Sequence, residues 1–228
     1  MDSEVAEHTR RRHTRAPRLT PHCTTVDVDA VRCPWHSGCV IIHLLGFPGV
    51  GKHTIAGALS QQAAANGRHL VVVDNHLTSQ VVLSVIGADG IEPLPDRVWD
   101  RVREIREIVY STIETLSPPH LSFVFTNVLV VSDLRSLPVI ERLQRLAQTR
   151  STAYVPVMLS CDTAEHQRRV PSPGRSEKLK WIDPDGVAAF VTAEELLRPS
   201  TETMDLDVTA LTPTEAAERI MFGLVGAG

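Results

Sequence analysis

The sequence predicts an α/β domain built on a parallel sheet, and three observations carry that prediction. Short apolar runs of strand length alternate, from Val40 to near the end of the chain, with longer stretches in which apolar residues recur every three or four positions. A glycine-rich turn, GFPGVG, joins the first apolar run to the first such stretch. The polar residues suited to chemistry fall at the ends of the runs: Asp74 with Asn75 and His76, Thr126 with Asn127, and Asp162. Strands separated by helices give a parallel sheet covered on both faces, and such sheets bind ligands beyond the carboxyl ends of their strands.

The elements follow in order. CVIIHLL (39 to 45) is a short buried strand, and GKHTIAGALSQQAAANG is a helix stopped by Gly67. RHLVVVDN gives a second strand ending at Asp74, and SQVVLSVIG a short helix. In PDRVWDRVREIREIVYSTIETL (95 to 116) the apolar residues Val98, Val102, Ile105, Ile108, Val109, Ile113 and Leu116 keep helical spacing, closed by Pro118 and Pro119. LSFVFTN is the third strand and LPVIERLQRLAQTR the helix after it. AYVPVMLSC is the fourth strand despite Pro156, followed by a short helix, TAEHQRRV, and a basic, proline-containing segment over 171 to 185. VAAFVTAEELL (187 to 197) reads as helix, TMDLDVT as the fifth strand, and PTEAAERIMFGLV as a final helix with Pro213 at its start.

The 228 residues suffice for one such domain plus an appendage, and 43% apolar with 22% charged residues is ordinary for a globular chain. A net charge of −4 makes no case for nucleic acid or an anionic membrane surface. No apolar run approaches the roughly 18 residues of a membrane span, and the N-terminus lacks the apolar core of a secretory signal, so the expectation is cytoplasmic. Four cysteines do not make a disulfide framework in a chain of this size. Residues 1–38, rich in Arg, His and Thr, read as a flexible basic extension, and 39–228 as the domain. Cys33-x-x-His36-x-x-Cys39 has zinc-type ligands at a spacing that matches no standard knuckle. The run Arg10 to Arg12 lacks interleaved aromatics and reads as a solvated tail, so no nucleic-acid partner is expected.

The decisive stretch is VIIHLLGFPGVGKHTIAGALS, an apolar run, a glycine turn, a lysine and a helix. Gly46, Gly49 and Gly51 let the turn wrap with its amide hydrogens inward, in dihedrals that most side chains disfavour. The helix N-terminus adds partial positive charge, and Lys52 a mobile full charge for β- and γ-phosphates. A phosphate-binding loop of the form G-x-x-x-x-G-K-[ST] wants a hydroxyl next, but the chain has His53 there and Thr54 one residue on.

GFPGVGKHT resembles the phosphate loop of the small P-loop kinases: adenylate, shikimate and gluconate kinases and the chloramphenicol phosphotransferase group. Gly46, Pro48, Gly49, Gly51, Lys52 and Thr54 match the adenylate-kinase form G-x-P-G-x-G-K-G-T, which also lacks a hydroxyl directly after the lysine. The resemblance implies a three-layer P-loop fold with five parallel strands in the order 2-3-1-4-5 and a short lid, and it implies ATP and Mg2+ as cofactors. It places Val50, His53 and Thr54 with the glycines and Lys52 around the nucleotide, and Thr209, in LDVTALTPTEAAERI, beside the adenine. Magnesium would be held through water and phosphate oxygens, with Thr54 or Asp133 as protein groups within reach; His53 as a metal ligand or proton carrier is the alternative to a spectator role.

Phosphoryl transfer needs positioning, charge neutralisation and, in many kinases, a carboxylate to take the acceptor's proton. Asp74 is the candidate base, with Asn75, His76, Thr126 and Asn127 as acceptor contacts and Arg169 and Arg175 as lid arginines; Asp74 would serve equally as a helix cap. The third strand ends in Thr126 and Asn127, not in the aspartate of a Walker B strand, which argues against a motor-type ATPase. Arg97, Arg101, Arg103 and Arg106 lie where a nucleoside monophosphate kinase would hold the acceptor's phosphate. The expected function is ATP-dependent phosphorylation of a hydroxyl on a small molecule, whether nucleoside, metabolite or antibiotic. The alternative is an ATP-binding switch or accessory ATPase acting through a protein or RNA partner.

Overall fold

The computed structural model describes residues 38–89, 94–171, 181 and 183–226. The N-terminal extension up to residue 37, Arg175 and most of the expected lid lie outside the described residues. The elements run β1 (Val40–Leu45), α1 (Lys52–Ala65), β2 (Leu70–Asp74), α2 (Asn75–Val85), α3 (Asp96–Thr115), β3 (Ser122–Asn127), α4 (Ser136–Thr149), β4 (Ala153–Ser160), α5 (Thr163–Arg169), α6 (Pro184–Ala193), β5 (Met204–Asp207) and α7 (Pro213–Gly226). The five strands form one sheet in the order β2-β3-β1-β4-β5, every pairing parallel, as the phosphate-loop resemblance implies.

The strand period of two divides the core into two layers. Val40, Ile42 and Leu44 of β1 face one way, with Val124, Val157 and Leu159, onto the alanine-rich α1 and onto Ala216, Ala217 and Ile220 of α7. Ile41 and Leu45 face the other way with Phe123 and Phe125, against Tyr110 and Ile113 of α3 and Leu143 and Leu146 of α4. Small residues on α1 and α7 let the two helices approach each other and the sheet closely. A capping box starts α7: the Thr212 hydroxyl accepts from Glu215 N at 3.2 Å, and Glu215 accepts from Thr212 N at 2.8 Å.

Two elements differ from the sequence expectation. α2 begins at Asn75, directly after β2, four residues before the expected start, because Asp74 is extended and serves as its N-cap. α6 spans Pro184–Ala193, so the expected helix over 187 to 197 does not continue through its second half. Beyond Ala193 the chain is extended and bridges antiparallel to Val130 at Leu196, and Leu197 packs onto the α3–α4 layer. Tertiary pairing and burial there outweigh helix propensity.

Candidate active site

The glycine turn, the start of α1, the ends of β2 and β3 and the helix α5 converge at the carboxyl end of the sheet. In the turn, Gly49 has φ +98° and Gly51 φ +106°, the left-handed region in which a side chain is strained. A Cβ on Gly49 would also come within 2.9 Å of Val170 and 3.0 Å of His166. Lys52 Nζ donates to the carbonyls of Gly46 at 2.6 Å and Phe47 at 2.9 Å, so the ammonium lies across its own loop. Val50 is buried in the α1 layer and Thr54 is exposed in the first turn of α1.

α5 clasps this loop from the β4 side. Buried His166 hydrogen-bonds through Nε2 to the Pro48 carbonyl. Arg169 Nη1 donates to the Val50 carbonyl at 3.1 Å, and Nη2 to the Val208 carbonyl at 3.1 Å. Its Nε pairs with Glu165 at 2.6 Å, and hydrogen bonds from Arg168 and Arg169 hold that carboxyl down at about 2. Thr209 Oγ1 accepts from Asp162 N at 2.9 Å, so Arg169 spans from the phosphate loop to the turn that carries Thr209. Arg169 therefore acts on main-chain carbonyls from a packed helix in this state.

On the other side, Asp74 ends β2 with a side chain 14% exposed. Its Oδ1 accepts from the Thr126 hydroxyl at 2.6 Å and, at the long distance of 3.5 Å, from His76 N as a helix cap. Its Oδ2 lies 2.7 Å from His53 Nδ1. The histidine that stands in place of the loop's hydroxyl thus ties the phosphate loop to the carboxylate ending the neighbouring strand. Thr126 Oγ1 also accepts from Asn75 N at 3.2 Å, which fixes the β2–α2 junction to β3.

Beyond Asp74 a narrow cleft of about 10 Å³, room for roughly one water, lies between these strand ends and α3, with Asp74, Asn75, Thr126, Asn127, Arg106 and Tyr110 on its walls. Asn75 Oδ1 accepts from Arg106 Nη2 at 2.7 Å and from Asn127 Nδ2 at 3.2 Å. Asn127 Oδ1 bonds in turn to His43 Nε2 at 3.0 Å, and His43 Nδ1 to the Tyr154 hydroxyl at 2.8 Å. His43 is fully buried, and that burial lowers its pKa to about 4, so the ring is neutral near neutral pH. Burial likewise pushes the Tyr110 hydroxyl up to about 12.

Of the sequence candidates, Lys52, His53, Asp74, Asn75, Thr126 and Asn127 come together here. His76 is half-buried in the first turn of α2 and is not among the residues lining the cleft. Asp133 is engaged by Arg135 at 2.8 Å: burial raises its pKa, but the hydrogen bonds from Arg135 outweigh that and hold the carboxyl below its usual range. Arg97 is exposed, while Arg101 and Arg103 pair with Glu104 and Asp100 on the wet face of α3, so of these four arginines Arg106 alone reaches the cleft. Sequence reasoning passed over His43, His166 and the singular place of Arg106. Two signals were present: a lone histidine inside an otherwise apolar central strand, and Arg106 four residues from both Val102 and Tyr110, on the buried stripe of its helix.

No family profile matches the chain. It is 28% identical over 100 residues to an adenine deaminase of Sinorhizobium fredii, a match covering 44% of this chain and only 16% of that protein's length. Among solved structures it is similar to a sugar kinase from Janibacter sp. HTCC2649 (TM-score 0.52, 15% identity, 81% of this chain and 93% of that one). It is similar to the Mycobacterium tuberculosis APS kinase CysC solved with AMPPNP and APS (TM-score 0.50, 14% identity, 83% and 99% covered). It is also similar to Chaetomium thermophilum Kti12 solved with ADP-AlF3 (TM-score 0.52, 13% identity, 82% and 100% covered). At such identities the likeness is one of fold: the chain has the fold of the P-loop kinases and related P-loop NTPases. Among the described residues no helix is long and apolar enough to cross a membrane.

Proposed function

We propose that the chain binds ATP with magnesium and transfers the γ-phosphoryl group to a hydroxyl of a small molecule seated in the cleft at the ends of β2 and β3. The observation that supports this most is the placing of Asp74, a carboxylate on the cleft wall that is also 2.7 Å from the second residue of the phosphate-loop helix. The glycine cradle, the amides that open α1 and the Lys52 ammonium suit a polyphosphate. Magnesium, when bound, neutralises charge on the β- and γ-phosphates; Thr54 is exposed in the first turn of α1 for it, whereas Asp133 is taken by Arg135. Thr126 and His53 fix the two carboxylate oxygens of Asp74. As the acceptor oxygen attacks the γ-phosphorus, its proton passes to Asp74 and ADP departs. Arg169, joined to Val50 and Val208, holds the loop against the turn that would border the adenine.

The test is ADP release from Mg·ATP by the purified chain, against nucleosides, nucleotides, sugar acids, shikimate and hydroxylated antibiotics. The reading expects one class of compound to raise turnover at least about 100-fold over the background, the lower end of general-base effects. One observation favours a second reading, a nucleotide-dependent switch or accessory ATPase with a protein or RNA partner. α2 leaves Leu77, Val81 and Val85 exposed at 57%, 55% and 81%, a stripe at four-residue spacing. Tight ATP binding with a flat panel would move the account to that reading.

A further inference from the structure

Resting on the reading that the glycine turn holds a polyphosphate, we infer that His166 is a positioning residue for nucleotide binding. From α5 it fixes the direction of one peptide plane in the phosphate loop, and Arg169 fixes a second. Glycine permits the shape of this loop without selecting it. Gly49 and Gly51 have φ of +98° and +106°, while Val50 between them keeps the ordinary negative sign. Such alternation turns successive N–H groups to one side and makes a concavity for an anion. Glycine adopts either sign of φ readily, so the Pro48–Gly49 and Val50–Gly51 peptides are able to turn over and withdraw their amides. Something outside the loop has to decide.

The donors on the loop's carbonyls decide it. Lys52 Nζ donates to Gly46 and Phe47, and Ile55 N to Gly51 at 3.0 Å, so these three are held from α1. The two carbonyls that precede the left-handed glycines are held from α5 instead. His166 Nε2 donates to Pro48, and Arg169 Nη1 to Val50 at 3.1 Å. In a planar trans peptide the N–H points opposite to the C=O. Each bond to α5 therefore turns the following amide, that of Gly49 or Gly51, away from α5. Both glycines are half-buried, and among the described residues neither amide donates to any group. Half-buried amides of this kind are donors kept for a ligand.

The surroundings of His166 suit this task. A carbonyl only accepts, so Nε2 carries the proton. The residue is 7% exposed and stands between the loop and a groove that α5 forms with α6, lined by Gln167, Val187 and Val191. α5 is itself tied down: Asp162 Oδ1 accepts from Glu165 N at 2.7 Å, Asp162 N donates to Thr209, and Glu165 pairs with Arg169. The two pins differ in reach. Arg169 also bonds to the Val208 carbonyl, so it serves the turn after β5 as well as the loop. That difference separates them in a titration.

The full chain would be titrated by calorimetry with Mg·ADP and with pyrophosphate, a probe that fills the cradle and carries no base. His166→Leu should weaken both about tenfold and equally, because a loop whose amides face inward part of the time binds in proportion to that fraction. His166→Gln, which keeps a donor for Pro48, should bring both back to within about threefold of the parent. In NMR spectra of the ligand-free chain the Gly49 amide should shift in His166→Leu and return toward its parental place in His166→Gln. Arg169→Met, which also serves if His166→Leu does not fold, should weaken pyrophosphate about tenfold and Mg·ADP more. A role of His166 in packing alone would lower stability and leave both affinities unchanged. Retained pyrophosphate affinity in His166→Leu or Arg169→Met would overturn the inference, as would a loss that His166→Gln does not repair or one confined to Mg·ADP. A parent chain that binds neither probe would end the nucleotide reading and this inference together. Binding by the parent that the variants match would end the inference alone.

Discussion

The phosphate loop and the cleft stand side by side at the carboxyl end of the sheet, and they are held by opposite means. The loop is made of main chain: Lys52 lies on the carbonyls of Gly46 and Phe47, His166 on that of Pro48, and Arg169 on those of Val50 and Val208. The cleft is made of side chains bonded to side chains, from Asp74–Thr126 through Asn75–Arg106 and Asn127–His43 to Tyr154. A main-chain cradle serves any polyphosphate and depends on where the glycines fall. A side-chain network depends on each member and so can be specific. His53, at the start of α1 but 2.7 Å from Asp74, joins the two halves.

Three changes would break or sharpen this contrast. The largest effect is expected from Lys52→Ala, which removes the loop's full charge: ATP-dependent turnover should fall below detection, and affinity for a labelled ATP analogue should drop about 100-fold or more. Next comes the cleft's buried histidine. Its folded pKa, about 4, lies below the ordinary 6.5, so between those values the unfolded chain binds a proton that the folded chain refuses. Stability is then fully present above pH 6.5 and falls as pH drops toward 4, by about 3 kcal/mol over the window. Urea midpoints at pH 7 and pH 5 should show about 2 kcal/mol of that loss in the parent chain and a smaller one in His43→Gln. The smallest effect is expected from His53→Ser. The pair with Asp74 is part-exposed and worth about 1 kcal/mol, so transfer should fall about fivefold with ATP affinity kept. A complete loss of transfer would give His53 a direct part in the reaction.

This contrast also explains what was legible in the sequence. The loop was, because main-chain geometry writes itself as glycine spacing: Gly46, Gly49, Gly51 and Lys52 announce a cradle before any coordinate is known. The sheet order followed from that resemblance, and the strands and most helices from their periods. The ends of β2 and β3 also stood out, since Asp74, Thr126 and Asn127 close apolar runs. What did not show was the partnership of residues far apart in sequence. His43 meets Asn127 across 84 positions and Tyr154 across 111, and no local pattern encodes a hydrogen bond of that span. Arg169 was legible as a basic residue before a proline-containing segment, but its bonds to the Val50 and Val208 carbonyls depend on how α5 packs. The false half-helix after Ala193 has the same origin, a long-range pairing with Val130.

The central claim is that the loop and the cleft meet at Asp74, and Asp74→Asn tests it most directly. Asparagine keeps the size of the side chain and an oxygen for Thr126 while removing the base. With the best acceptor from the panel, ATP affinity should stay within about twofold and phosphoryl transfer should fall about 100-fold or more, the scale of a lost general base. Transfer by the asparagine chain at the parental rate, with ATP affinity unchanged, would contradict the account and remove Asp74 from the chemistry.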